Sequence, residues 1–291
     1  MLFSIVIPTY QRAQAVKKAV SAVLPDVGET GEVIVVEDRG DGARNSLGAD
    51  IDKGLVRYLR NTHDVCGAAA ARNMGVQAAV GKFVLFLDDD DLIAPGYLAQ
   101  LITLWQAEDV EWGFGLQVVG NEIVARRDVL GRSLKHGFLE PRVGFRQRLC
   151  AASAGLFVRR DLFQSLNGFA IGRHVDEDTD LCCRLLAARK RPYFLDQPAV
   201  LLSREDNVER LTNSVEKDGV FRCYEATFHD NIDACKDLPF AATYLSTRAV
   251  RQALKSNNVD RSDAIIARTP GVFLRLGLRV KVALDRRKKR R

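Results

Sequence analysis

The chain has 291 residues, 47% of them hydrophobic and 27% charged, a globular composition that can bury a full core in one large domain or a domain with an appendage. Its net charge of +6 equals the six positive charges of Arg286-Arg287-Lys288-Lys289-Arg290-Arg291, so the basicity belongs to one segment and argues against a broad nucleic-acid-binding face. No apolar run approaches the roughly 20 residues of a membrane span, and Leu2 to Ile7 meets Pro8 too soon for a secretory signal, so a cytosolic chain is expected.

In chain order, Phe3-Ser4-Ile5-Val6-Ile7 reads as a strand stopped by Pro8, and Ala13 to Leu24 as a helix ending at Pro25. Val33 to Val36 forms a second strand running into Glu37-Asp38-Arg39-Gly40-Asp41-Gly42, carboxylates followed by a glycine-rich turn. Leu55 to Leu59 gives a third strand, and Ala68 to Val80 an alanine-rich helix. Phe83 to Leu87 is a buried strand that delivers Asp88-Asp89-Asp90-Asp91, after which Leu92 to Trp105 continues at helical spacing. Trp112 to Val119 and Glu122 to Arg127 read as a strand pair about Gly120-Asn121. Ala154 to Val158 reads as a strand before a helix over Arg160 to Leu166, which Asn167-Gly168-Phe169 closes. Asp178 to Ala188 is amphipathic, and Leu211 to Pro270 is helical in segments. Six cysteines (Cys66, Cys150, Cys182, Cys183, Cys223 and Cys235) show neither C-x-x-C nor zinc spacing and read as reduced thiols.

Four adjacent acids repel one another, so the Asp88 to Asp91 run must be solvated or bind a divalent cation. Strands alternating with helices predict an α/β fold with a doubly wound, mostly parallel sheet, whose ligands sit beyond the strand carboxyl ends. Thr9, Tyr10, Asp38 and Asp88 to Asp91 should therefore line one crevice. The first turn, Pro8-Thr9-Tyr10-Gln11-Arg12, has no G-x-G-x-x-G, and no Walker A pattern occurs. Without such a loop, a carboxylate-held metal is the natural means of neutralising phosphates.

Five motifs carry a specific resemblance: Ser4-Ile5-Val6-Ile7-Pro8-Thr9-Tyr10-Gln11-Arg12, Val35-Val36-Glu37-Asp38, Ala71-Arg72-Asn73-Met74-Gly75, Phe86-Leu87-Asp88-Asp89-Asp90-Asp91, and Asp176-Glu177-Asp178-Thr179-Asp180-Leu181. Their order over about residues 1 to 215 resembles the inverting GT-A glycosyltransferases of family 2. The resemblance implies a GT-A domain over 1–215, with a nucleotide-binding half over about 1–110 and an acceptor half over about 111–215, then a helical extension over 216–291 with a basic tail. It implies a nucleoside diphosphate sugar donor, a UDP-sugar, and a saccharide or lipid-linked glycan acceptor, as in surface polysaccharide synthesis. Pro8, Thr9, Tyr10, Arg12, Asp38, Arg72, Asp88 and Asp89 would contact the nucleotide, with Asp38 on the base. Asp88 and Asp90 would form the D-x-D element holding Mn²⁺ or Mg²⁺, and Asp178 would be the general base. This chain departs from the family in having Glu37-Asp38-Arg39-Gly40 where two aspartates and a nearby serine are common. A nucleotidyltransferase and a catalytically inactive nucleotide-sugar-binding module are the alternatives.

The bland reading of Asp176, Glu177, Asp178 and Asp180 is a helix cap. On either reading the helix dipole is expected to lower the Asp178 pKa and keep it ionised. Arg72 and Asn73 would touch the donor sugar or tie the acidic loop, and His174 is assigned no role. Ser203-Arg204-Glu205-Asp206-Asn207 to Thr212-Asn213-Ser214 resembles a loop closing over the diphosphate, with Arg204 or Arg210 facing phosphate in place of a histidine. Gly271 to Arg291 reads as a basic amphipathic helix with Val272, Phe273, Leu276, Val280, Ala283 and Leu284 on one side. That side either lies on an anionic membrane, placing the chain at the inner face of the cell membrane, or packs on the protein.

Overall fold

The computed structural model describes residues 1–203 and 216–289. The first half consists of β1 (Phe3–Thr9), α1 (Ala13–Val27), β2 (Gly31–Asp38), α2 (Gly42–Asp52), β3 (Val56–Asn61), α3 (Ala68–Ala78), β4 (Phe83–Phe86), β5 (Leu92–Ile93) and α4 (Tyr97–Ala107). The second half adds β6 (Trp112–Val119), β7 (Glu122–Ile123), β8 (Gly137–Phe138), β9 (Phe157–Arg159), α5 (Arg160–Ser165), α6 (Glu177–Ala187) and β10 (Tyr193–Leu202). Among the described residues four further helices follow: α7 (Lys217–Asn231), α8 (Ala241–Lys255), α9 (Val259–Arg268) and α10 (Val272–Lys289).

All ten strands join one sheet in the order β3-β2-β1-β4-β9-β6-β10-β5, with β7 on β6 and β8 on β10. The long pairings, β1 with β2 and β4, β2 with β3, and β6 with β10, are parallel; β9 runs antiparallel between the two parallel groups. This is the mostly parallel α/β sheet expected.

Every residue of β1 is buried, as a strand covered on both faces requires. Its side chains alternate between two cores. Phe3, Ile5 and Ile7 join Val33, Val35, Phe83 and Leu85 beneath α1 and α4, while Val6 joins Ile34, Val36, Val84 and Phe86 beneath α3. The second core runs without a break through Leu181, Leu185 and Phe194 into Phe221, Phe228, Leu245, Val250 and Ile265, so α7 to α10 share it with the sheet. Six free cysteines are present, all buried except the half-buried Cys66.

Several boundaries differ from the sequence reading. Helix α1 continues through Pro25 to Val27, since a proline in the last turn forfeits only one helical bond. The glycine-rich turn leads into helix α2, which the sequence reading left unassigned; both Glu37 carboxylate oxygens accept from the Ala43 N–H at 3.1 Å and cap it from outside. Leu92–Ile93 pairs with β10 instead of opening a helix, and α4 waits until Tyr97, past Pro95 and the left-handed Gly96. Strand β10 was not anticipated; Pro198 sits at its register shifts, where a proline is tolerated in a sheet.

Helix α3 lies close on the sheet because its inner face is small. A Cβ at Gly75 would fall inside the Val6 side chain and crowd Val36. Gly75→Ala should therefore destabilise the fold by about 1–3 kcal/mol, the overpacking cost outweighing the ~1 kcal/mol gained in helix propensity. Urea unfolding decides between the two effects: an unchanged or higher midpoint would mean that α3 is free to move outward.

Candidate active site

The carboxyl ends of β1, β2 and β4 meet at one edge. At β1, Thr9 donates its hydroxyl to Asp89 Oδ2 at 2.6 Å, and Arg12 reaches Asp89 Oδ1 at 3.1 Å and Asp90 Oδ2 at 3.2 Å. Asp89 is 6% exposed, and burial pushes its pKa up to about 6 against the pull of Thr9 and Arg12. It ties the first turn to the acidic turn. Asp91 is buried too and accepts from the Ser203 N–H at 3.2 Å. Pro8 pairs with Val36 inside the sheet, whereas Tyr10 is exposed at the mouth.

Asp88 and Asp90 differ from their neighbours. Each is partly open and spends one oxygen in an ion pair, Asp88 Oδ1 on Arg72 at 2.5 Å and Asp90 Oδ2 on Arg12. The second oxygen of each takes no hydrogen bond from the described residues. Two open carboxylates two residues apart are hard oxygen donors that suit Mn²⁺ or Mg²⁺, and a pair of protein ligands leaves positions for diphosphate oxygens and water. No group of three or more His, Cys, Asp or Glu side chains is placed to hold an ion among the described residues.

Arg72 is the hub of the site. Carried by α3 and 4% exposed, it donates through Nη2 to Asp88 and through Nη1 to Glu177 Oε1 at 3.0 Å, with its guanidinium 5.5 Å from the Phe169 ring centroid. Burial works against its charge, but Asp88 and Glu177 outweigh burial and hold it more firmly protonated than usual. Asn73 beside it does not face the crevice. Its amide exchanges hydrogen bonds with Phe169, accepting at 2.9 Å and donating at 2.8 Å, and so fixes the turn before α6.

At the head of α6 four acids crowd together, and three are neutralised. Glu177 takes Arg72. Asp180 takes Arg173 at 2.5 Å and Arg184 at 2.6 Å, together with an amide bond from Asn231. Asp176, in a left-handed conformation at φ 71°, takes Arg248 at 2.7 Å. Only Asp178 forms no ion pair among the described residues; its Oδ1 accepts the Thr179 N–H at 2.6 Å. Burial, then Glu177 and Asp176, push its pKa up to about 7. This corrects the expected lowering, since desolvation and like charges outweigh the helix dipole and the Thr179 bond.

Asp38 closes the crevice on the β2 side. Its carboxylate accepts from Asn61 Nδ2 at 2.8 Å and from the Gly67 N–H at 2.6 Å, pinning the end of β3 and the start of α3. Beside it lies a hollow of about 460 Å³ lined by Arg39, Arg60, Asn61, Thr62, His63 and Asp64. The sequence reading passed over this segment because no motif marks it; its signal was only that it follows a strand at the acidic edge. Arg248 was missed too, 72 positions from the acid it holds, with its guanidinium 4.5 Å from the Tyr224 ring and 4.9 Å from the Tyr244 ring. Arg204 and Arg210 lie outside the described residues.

The family model for glycosyl transferase family 2 matches residues 4–166. A pre-mycofactocin glycosyltransferase of Mycobacterium tuberculosis is 28% identical over 214 residues, 71% of this chain and 43% of its own length. The UDP-Glc:alpha-D-GlcNAc-diphosphoundecaprenol beta-1,3-glucosyltransferase WfgD of Escherichia coli is 25% identical over 131 residues, 45% of this chain and 50% of that one. The chain thus spans about half or less of the curated relatives it matches. Among solved structures, S. aureus TarS 1-349 in complex with UDP-GlcNAc superposes with a TM-score of 0.67 over 93% of this chain and 82% of that one, at 16% identity. The mannosyltransferase PcManGT from Pyrobaculum calidifontis, in complex with GDP-Man and Mn²⁺, superposes at 0.58 over 97% and 79%, at 17% identity. The chain has the GT-A fold and belongs to glycosyl transferase family 2.

Proposed function

We propose that the chain transfers a sugar from a UDP-sugar to a hydroxyl of a saccharide or lipid-linked glycan, inverting the anomeric centre, in polysaccharide or glycan synthesis. The observation that carries this is the contrast at the head of α6: of four acids, Asp178 alone makes no ion pair among the described residues. A pKa near 7 suits a general base at neutral pH, because the group is substantially ionised yet basic enough to take a proton. The relatives support the donor and acceptor classes. WfgD is named for a UDP-Glc donor and a diphosphoundecaprenol acceptor, and a Campylobacter jejuni relative, 30% identical over 101 residues, for a PP-undecaprenol acceptor.

In this reading the nucleotide base lies against Asp38, between the hollow on one side and Thr9 and Tyr10 on the other, and the diphosphate extends toward Asp88 and Asp90. The acceptor hydroxyl gives its proton to Asp178 as its oxygen forms a bond to the anomeric carbon. The bond from that carbon to the diphosphate oxygen breaks on the opposite face. Asp88 and Asp90 would hold Mn²⁺ or Mg²⁺, which when bound offsets the charge on the departing diphosphate. Arg72 sets the spacing of the two halves by joining Asp88, on the donor side, to the residue before the base.

Incubation with labelled UDP-sugars tests the reading. Free UDP with a glycosylated acceptor is expected; pyrophosphate release would make the chain a nucleotidyltransferase, and binding without product a nucleotide-sugar-binding module. Asp178→Asn should leave UDP affinity near wild type and lower transfer about 10²-fold or more, the usual scale for losing a general base. The same variant should melt above wild type at pH 8. A carboxyl whose folded pKa is raised stabilises the fold below its unfolded pKa of about 4 and loses that contribution as pH rises through 7, and an amide has no such loss.

Wild-type kcat/KM should fall about tenfold per pH unit on the acid side of about 7, as Asp178 takes up its proton. A flat profile from pH 5 to 8 would remove Asp178 from the base role. Asp90→Asn should abolish the Mn²⁺ dependence of UDP binding in calorimetry. Unchanged affinity in the presence of Mn²⁺ would move the metal elsewhere.

A further inference from the structure

Helix α10 is apolar on two opposite sides. Toward the protein, Leu278 and Val282 are buried in the main core, with Leu274 packed against it, and the helix lies on α8 and α9. Away from the protein, Val272, Phe273, Leu276, Val280 and Leu284 are 51% to 90% exposed. At about 100° per residue these five fall within an arc of about 120°, opposite Leu278 and Val282. The side that the sequence marks as apolar is therefore not the side that docks.

A surface helix of a globular protein ordinarily turns polar residues outward. Here the outward stripe has cationic borders, Arg275 and Arg279 along one edge and Lys281 along the other. The single acid of the helix, Asp285, is half-buried on the docked side. We propose that this stripe lies on an anionic lipid bilayer, its apolar side chains in the boundary between headgroups and acyl chains and its bordering cations on lipid phosphates. No helix among the described residues is long and apolar enough to cross a membrane, so contact is from the surface. A symmetric pairing of two such stripes would bring the same cationic borders together, which favours lipid over a second copy as the cover. The inference uses no residue of the acidic crevice and holds whether or not the transfer reading does.

Co-sedimentation of the whole chain with vesicles of phosphatidylcholine, alone or mixed with phosphatidylglycerol, tests it. Wild type should pellet with the mixed vesicles, less so with pure phosphatidylcholine and less as salt rises. Phe273→Glu combined with Val280→Glu should weaken that binding about tenfold or more. Arg279→Glu, a second exposed position, should weaken it on anionic vesicles and flatten the salt dependence. UDP affinity without vesicles, measured on the same samples, reports separately on the crevice. Wild type remaining in the supernatant, or the double variant pelleting like wild type, would overturn the proposal. So would light scattering that shows a wild-type oligomer, dispersed by the double variant, in a chain that ignores vesicles.

Discussion

One buried cation holds the two halves of the site at a fixed spacing. Arg72 lies between Asp88, at the end of β4, and Glu177, in the first turn of α6, and without it two carboxylates would face each other in a poorly solvated place. Its position follows from the residues around it. Ala69, Ala71 and Gly75 let α3 settle close on the sheet, and that closeness buries the guanidinium so that paired acids, rather than water, compensate its charge. Removing one partner of such a pair generally costs about 3–5 kcal/mol, because the other charge is left desolvated. The small residues of α3 and the chemistry of the acidic edge are therefore a single constraint.

The same logic separates the acids by role. Asp89, Asp91, Asp176 and Asp180 are buried and bonded, and each ties together segments that are distant in sequence. Asp88 and Asp90 face outward with one oxygen committed, and Asp178 is half-buried with no cation on it among the described residues. Identical side chains thus end as buried staples or as open carboxylates according to which neighbours reach them first.

Much of the sheet was legible because its strands are short and largely apolar, and because β2 and β4 end abruptly in acids, a pattern that each segment carries within itself. The same is true of the five motifs that gave the family. What was not legible depends on partners far along the chain. Helix α2 is capped by Glu37, outside the helix, and its own sequence is scarcely amphipathic. Strand β10 contains Asp196-Gln197-Pro198, which breaks the apolar run. The Asp178 pKa was read from the helix dipole, a local effect, and burial together with the packing of Glu177 and Asp176 around it reverses the sign. For α10 the helical wheel found the apolar side but not its direction, because Leu278 and Val282 form a second apolar side that chooses the docking face.

The grip of Arg248 on Asp176 also sets an order in time. Asp176 bends into a left-handed turn two residues before Asp178, and the cation that stabilises it lies in α8, some seventy residues further on. On the ribosome the sheet and its acidic edge emerge first, and the guanidinium follows roughly 4 to 14 s later at ordinary elongation rates. Through that interval the sheet edge is already chemically furnished, while the turn that aims Asp178 has no counter-ion. The acidic edge can thus form before the turn that presents Asp178 is neutralised, and completion of the site is timed by synthesis of the helices behind it.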